Sequence, residues 1–308
     1  MAAAESFLQA TVFMQQNELD FLIIGAQEGG TTALHEILAT HPQIQMAIGK
    51  ERTFFDRDDG DWDQFADEVF EKDRPAGVLI GKATPQYISA PGVAPRIRAM
   101  FPDVRLIAIL RNPVARTFSH YRMCVRRGML DDNFDAHVDR WLNREELIRA
   151  RELPHEDANE ADCCVVWSEY SRMLDRYLAV FPKESLLVVL TEDLEGHPDE
   201  TISKIMTHLG LDPAWRSEIA HQKFHVGGDK KKVSLPPVLK ALPGVKTSLR
   251  WFFSRLPPKL AYMYQMWNIV PSKSDGAEQY PEAFRKLQAH FSSEGRDLQE
   301  RFGITPNW

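Results

Sequence analysis

Four short apolar runs stand out along the chain: Phe21–Ile24, Val78–Ile80, Leu106–Leu110 and Leu186–Leu190. None alternates with polar residues, and each is rich in Val, Ile or Leu. That pattern predicts parallel strands covered on both faces, because a strand with one wet face would show period-two alternation. Helical spacing follows three of the runs. Leu34, Ile37 and Leu38 share a face after the first. Val114, Thr117, Phe118, Tyr121 and Val125 do so after the third, with Pro113 at a first-turn position where a missing N–H costs nothing. Ile202, Ile205, Met206 and Leu209 form a stripe after the fourth, opened by Pro198. Strands alternating with helices predict an α/β fold, a parallel sheet flanked by helices on both faces.

Residues 134–178 are helical in pattern and strongly charged, which predicts a helical cap. A last helix is expected from Pro281 to Phe302, with Phe284, Leu287, Phe291, Leu298 and Phe302 on one face and Gly303 as its C-cap. The stretch 249–270 mixes aromatics with Arg250, Arg255 and Lys259. It can wall an apolar acceptor pocket or touch a lipid surface, although aromatic-rich stretches are more often core. No linker composition divides the 308 residues, which read as a single domain, 1–308. Oligomeric state is not legible.

A formal charge of −7 argues against a nucleic-acid partner, since phosphate-backbone affinity needs a basic face. Cys124, Cys163 and Cys164 have neither the count of a disulfide framework nor metal-ligand spacing. Reduced thiols, a cytoplasmic protein and no metal are therefore expected. Residues 1–16 lack the basic start and cleavage site of a signal peptide. No run approaches the ~20 apolar residues that cross a bilayer.

Candidate chemistry begins at Gly25-Ala26-Gln27-Glu28-Gly29-Gly30-Thr31-Thr32, between the first strand and its helix. Glycines let this loop turn tightly, so that N–H groups converge on one anion at a helix N-terminus. Thr31 and Thr32 add hydroxyl donors. An ATP or GTP hydrolase would carry GxxxxGK[ST] here, and this chain has Thr31 where that lysine belongs.

The segment FLIIGAQEGGTTALHEILATHPQI resembles the 5′-phosphosulfate loop of sulfotransferases, especially their bacterial and heparan-type branch. RLIAILRNPVARTFSHYRMCVRRG resembles the 3′-phosphate motif of the same family, KERTFF its Lys-Glu-x-x-Phe-Phe motif, and GKATPQYI the segment after the next strand. FPKESLLVVLTEDLEGHPDETISKIMTHLGL and LQERFGITPNW fit as well, so the resemblance covers nearly the whole chain in order. It implies a P-loop-like sulfotransferase fold. It also implies transfer of a sulfuryl group from 3′-phosphoadenosine 5′-phosphosulfate (PAPS), leaving adenosine 3′,5′-bisphosphate (PAP), with no metal required.

By the same resemblance, Gln27, Glu28, Gly29, Gly30, Thr31 and Thr32 hold the phosphosulfate, while Arg111 and Ser119 hold the 3′-phosphate. Arginine suits the latter with its planar fork of donors. Gly228, Lys230 and Lys231 resemble the family's later 3′-phosphate segment; a lysine run is otherwise solvated surface. Glu51 matches the family's general base, with Lys50 beside it and Asp56 placed to orient it. Thr53 stands where the family has histidine. His120 and His225 lie close to donor motifs, although isolated histidines are more often structural.

Glu28 departs from the family, which usually has lysine there to neutralise the leaving phosphate. Lys82 stands where related sequences commonly have glutamate. The expectation is that Glu28 and Lys82 have exchanged charges and pair across the donor site, Lys82 taking over a catalytic role. Two alternatives stay open at Glu28: a side chain pointing to solvent, and a PAP- or PAPS-binding protein without catalysis. A P-loop kinase-like phosphotransferase is a further alternative for the function. The acceptor, a hydroxyl or amine of a small molecule, lipid or saccharide, is not legible; analogy suggests bacterial specialised metabolism, including natural product biosynthesis.

Overall fold

The structure, a computed structural model, describes residues 19–48, 52–57, 60–71, 75–221, 228–230, 269–271 and 276–308. They fall into two compact units, one within 1–224 and 280–308, the other within 225–279. Among the described residues, no helix is long and apolar enough to cross a membrane.

The first unit is built on five parallel strands: β1 (Phe21–Gly25), β2 (Ile44–Met46), β3 (Leu79–Ala83), β4 (Arg105–Leu110) and β5 (Leu186–Leu190), in the order β2-β3-β1-β4-β5. The four apolar runs are four of these strands. β3 reaches beyond its run, through Gly81 and Lys82 to Ala83. β2 had no apolar signature to announce it: it is only Ile-Gln-Met at the sheet edge.

Both sheet faces are covered, which is why the strands do not alternate. Leu22, Ile24, Ile80, Leu106, Ala108 and Leu110 enter one core, with α2 (Trp62–Val69), α3 (Val93–Met100) and α7 (Tyr170–Leu178). Phe21, Ile23, Ala83, Ile107 and Ile109 enter the other, with α1 (Thr31–Leu38) and α9 (Pro198–Leu209). Fully burying each large aliphatic chain contributes roughly 1.5–3 kcal/mol. A third cluster packs α4 (Pro113–Arg127), α5 (Phe134–Trp141) and α11 (Pro281–His290) away from the sheet, while α6 (Arg144–Glu152) packs beside it. α8 (Thr191–Gly196) follows β5 directly.

The expected last helix is two. α11 ends at His290, and α12 (Glu294–Phe302) starts after Phe291-Ser292-Ser293, with Gly303 capping it at φ 68° as expected. The single stripe read from the sequence serves two cores: Leu287 and Phe291 join the third cluster, Leu298 and Phe302 the sheet core. One straight helix cannot present one face to both. The carboxylate of Glu294 fixes the break, accepting from Ser171 N at 2.9 Å and Ser171 Oγ at 2.8 Å.

The second unit holds strands β6 (Gly228–Lys230) and β7 (Ile269–Pro271), paired antiparallel with Gly228 opposite Pro271 and Lys230 opposite Ile269, and the short helix α10 (Gly276–Gln279).

Candidate functional site

The chain runs from β1 to one side of the sheet (β2, β3) and then to the other (β4, β5). The switch falls at the carboxyl ends of β1 and β4, the place where open parallel sheets bind ligands. The glycine-rich loop occupies it. The first turn of α1 leaves backbone N–H groups without intrahelical partners at this point. Gly30 is the N-cap at φ 87°, a conformation that costs a side-chain-bearing residue. A Cβ on Gly29 would lie 2.8 Å from Ala26 O and 3.0 Å from Ile109 O, so no other residue fits.

Three consecutive loop residues are held by three different elements. Gln27 Nε2 donates to Glu160 Oε1 at 2.8 Å. Glu28 Oε2 accepts from Ser119 Oγ on α4 at 2.6 Å. Gly29 O accepts from Thr191 Oγ1 at 2.7 Å, and the same hydroxyl lies 3.1 Å from Leu110 O. Glu28 itself has φ 62°, the only described non-glycine residue in the left-handed region.

The turn after β4 carries Arg111 and Asn112. Asn112 caps α4, its side chain accepting from Val114 N and Ala115 N at 3.0 Å each, and its own N–H donates to Glu192 Oε1 at 2.8 Å. Tyr170 OH donates to Arg111 O at 2.7 Å. Backbone and cap are thus fixed, while the half-buried Arg111 guanidinium has no hydrogen-bond or ion-pair partner among the described residues.

Below this turn lies a residue the sequence reading missed. Arg116 is fully buried. Its guanidinium donates to Ser168 Oγ, Cys164 O and Gln27 O, and Nη1 lies 3.4 Å from His120 Nδ1. Burial lowers its pKa, while the charges of Tyr170, Cys164 and Glu28 support its protonated form. His120, flat against Trp167 with centroids 5.2 Å apart, is held well below its ordinary pKa by burial and then by Arg116, and is neutral. Glu160 is also buried; its second oxygen takes Arg127.

A family model described as a sulfotransferase domain matches residues 18–226. The chain belongs to the sulfotransferase family. It is similar to the human "Heparan sulfate glucosamine 3-O-sulfotransferase 6", 31% identical over 190 residues, covering 62% of this chain and 52% of that protein. It is also similar to the Dictyostelium discoideum "Membrane-associated sulfotransferase kil1", 30% identical over 152 residues, 47% of this chain and 29% of that protein. A solved sulfotransferase from Alicyclobacillus acidocaldarius aligns with TM-score 0.55 and 25% identity, over 77% of this chain and 92% of that one. The chain spans about half the length of the human relatives it matches.

On the side where a 3′-phosphate is expected, Arg111 offers a guanidinium with no partner among the described residues. On the phosphosulfate side Glu28 stands in place of a lysine, and the expected exchange with Lys82 is not what the fold builds. Glu28 takes the Ser119 hydroxyl, and among the described residues no ion pair joins it to Lys82. Lys82 shares a sheet face with Leu22, fully buried, its Nζ 5.5 Å from the centre of the Phe65 ring. Glu28 is one of the charges that favour the protonated form of Arg116.

The Phe54–Phe55 turn of the Lys-Glu-x-x-Phe-Phe motif is anchored by the other motif, GKATPQYI. Tyr87 OH accepts from Phe54 N at 2.7 Å and Phe55 N at 3.2 Å, and Arg96 donates to Phe55 O at 3.1 Å. Lys50 and Glu51, just upstream, lie outside the described residues, as do His225, Lys231, Lys232 and nearly all of 249–270. Gly228 and Lys230 are in β6 of the second unit. Thr31 is buried and Thr32 half-buried at the start of α1. Ligand spacing showed no metal cluster, yet the fold brings His120, Cys124 and Cys164 together.

Proposed function

We propose that this protein is a sulfotransferase that takes PAPS as donor and sulfates a hydroxyl of a saccharide or of a smaller hydroxylated molecule, releasing PAP. The observation that carries the reading is the Arg111 guanidinium, with no partner among the described residues, next to a loop clamped residue by residue at the carboxyl ends of β1 and β4. The saccharide acceptor is favoured because the human relatives are named for heparan sulfate.

The donor, when bound, supplies a sulfuryl group whose bond to phosphate oxygen breaks as a bond to the acceptor oxygen forms. Glu51 takes the acceptor proton as general base, and Lys50 and the loop N–H groups favour the departing charge. Tyr87 and Arg96 position the turn that follows Glu51. Arg111 binds the 3′-phosphate through its fork, and Ser119 adds a hydroxyl. Lys82 supports the charge of the site from beneath. The three free, buried cysteines are consistent with a reducing, cytoplasmic setting.

A second reading is favoured by Glu28: a protein that binds PAP or PAPS without turnover, because a carboxylate replaces the charge that would stabilise the leaving phosphate. One experiment separates them. Calorimetric binding of PAP is compared with AMP, ADP and ATP, with and without Arg111→Ala, and sulfate transfer from labelled PAPS to heparan-type oligosaccharides is followed in parallel. Preference for PAP that is lost in Arg111→Ala, together with transfer, supports the enzyme. The same preference without transfer to any acceptor supports the binding protein. Preference for ATP with magnesium would replace both with a phosphotransferase.

A further inference from the structure

His120 and Cys124 lie one turn apart on α4, and Cys164 reaches the same point from the segment before α7. Their donor atoms all lie within 4.8 Å of one another, and all three residues are 0% exposed. Cys124 and Cys164 share a hydrogen bond, and Cys164 Sγ lies 3.7 Å from Glu160 O. Cys163 is turned elsewhere, its Sγ 3.8 Å from Ala150 O. His120 Nδ1 meets Arg116, whereas its buried Nε2 has no hydrogen-bond partner among the described residues. An orphaned imidazole nitrogen buried beside two thiols is costly as it stands, and a soft metal would engage all three groups.

We propose that His120, Cys124 and Cys164 form a three-coordinate site for copper(I). Thiolate and imidazole ligands suit both copper(I) and zinc(II), and two observations choose between them. Structural zinc takes four ligands, and three converge here among the described residues. The second is charge. Two thiolates and one monovalent ion leave a single negative charge beside the Arg116 guanidinium, which is fully buried and forms no carboxylate ion pair among the described residues. Zinc(II) would make the ligand set neutral and leave Glu28 as the carboxylate counter-charge acting on that buried cation.

The proton balance follows. Each thiol gives up one proton on binding. The imidazole stays neutral: its proton sits on Nδ1 when Nε2 binds the metal, and the long Arg116 contact to Nδ1 is released. The guanidinium keeps its bonds to Ser168, the Cys164 carbonyl and the Gln27 carbonyl.

The test titrates reduced, full-length protein anaerobically with copper(I) buffered by bicinchoninate, reading bound metal by competition, proton release in weak buffer, and thermal melting. The expected result is one equivalent per chain, two protons released and a raised melting temperature. Cys124→Ser and Cys164→Ser should lose the equivalent, and Cys163→Ser should keep it. Should the serine variants fail to fold by circular dichroism, X-ray absorption of loaded wild type decides: a shell of two sulfurs and one nitrogen supports the site, and any other shell overturns it. No bound equivalent, loss in Cys163→Ser, or a preference for zinc(II) would each overturn the proposal.

Discussion

Ser119 Oγ donates to Glu28 Oε2 over 2.6 Å, joining two residues 91 positions apart that the family assigns to opposite ends of the donor. The hydroxyl has one proton, and it can serve Glu28 or a phosphate oxygen, not both. On the proposed 3′-phosphate role of Ser119, donor binding breaks this bond and leaves a carboxylate facing an anion. Glu28→Ala removes both penalties and should tighten PAP binding about tenfold, the worth of one charge-assisted hydrogen bond. Ser119→Ala should weaken it. In Ser119→Ala, however, the Glu28 bond no longer has to break, so the double variant should bind about 1 kcal/mol less tightly than the two single effects add to. Strict additivity in calorimetry would show that the two residues do not compete.

Tyr87 ties two motifs together by accepting from Phe54 N and Phe55 N. It is fully buried, and burial pushes its phenol up to about 12, so it stays neutral. Tyr87→Phe keeps the ring and orphans two N–H groups, at about 1–3 kcal/mol each. Urea melts should show a loss of about 2–6 kcal/mol. Because the turn follows Glu51 directly, kcat should fall several-fold while the KM for donor holds. A stability loss with unchanged kcat would separate the turn from the chemistry.

The fold was legible wherever the signal was local. β4 and β5 show as unbroken aliphatic runs because both faces are buried, and Pro113 and Gly303 mark helix ends through their own backbone geometry. β2 was not legible, since three residues with glutamine in the middle carry no period. The site divides the same way. The glycine loop, Arg111 and Ser119 sit on contiguous motifs. Glu160, Thr191 and the buried Arg116 act on residues 133, 162 and 89 positions away, and no window on the chain contains both partners. The direct Glu28–Lys82 pair does not form for that reason too: their charges suggested it, but Glu28 takes the Ser119 hydroxyl and sheet register sets Lys82 beside Phe65.

Thr191, the first residue of α8, fixes the loop through one hydroxyl set between Gly29 O and Leu110 O. Thr191→Val has nearly the same shape and no donor. It should raise the donor KM several-fold at a stability cost of about 1–2 kcal/mol, the price of a lost buried hydrogen bond. Thr191→Ser, which restores the hydroxyl, should recover the KM. If serine fails to rescue, the methyl group rather than the hydrogen bond holds the loop.

Glu169 joins three helices, receiving Arg151 from α6, Arg172 within α7 and His290 from α11. Desolvation raises its pKa, but the His290 and Arg151 hydrogen bonds and the Arg172 and Arg151 charges outweigh it and bring it from 4.5 to about 2. A carboxylate with a depressed folded pKa stabilises the fold above its unfolded value, and that stabilisation is lost as pH falls through the folded one. The window is therefore from about pH 4.5 down to about 2, and the shift corresponds to about 3 kcal/mol. Denaturant melts of wild type and Glu169→Gln should differ most near neutral pH and converge across that window. A constant difference from pH 7 to 3 would mean that the glutamate contributes by packing and not by its charge.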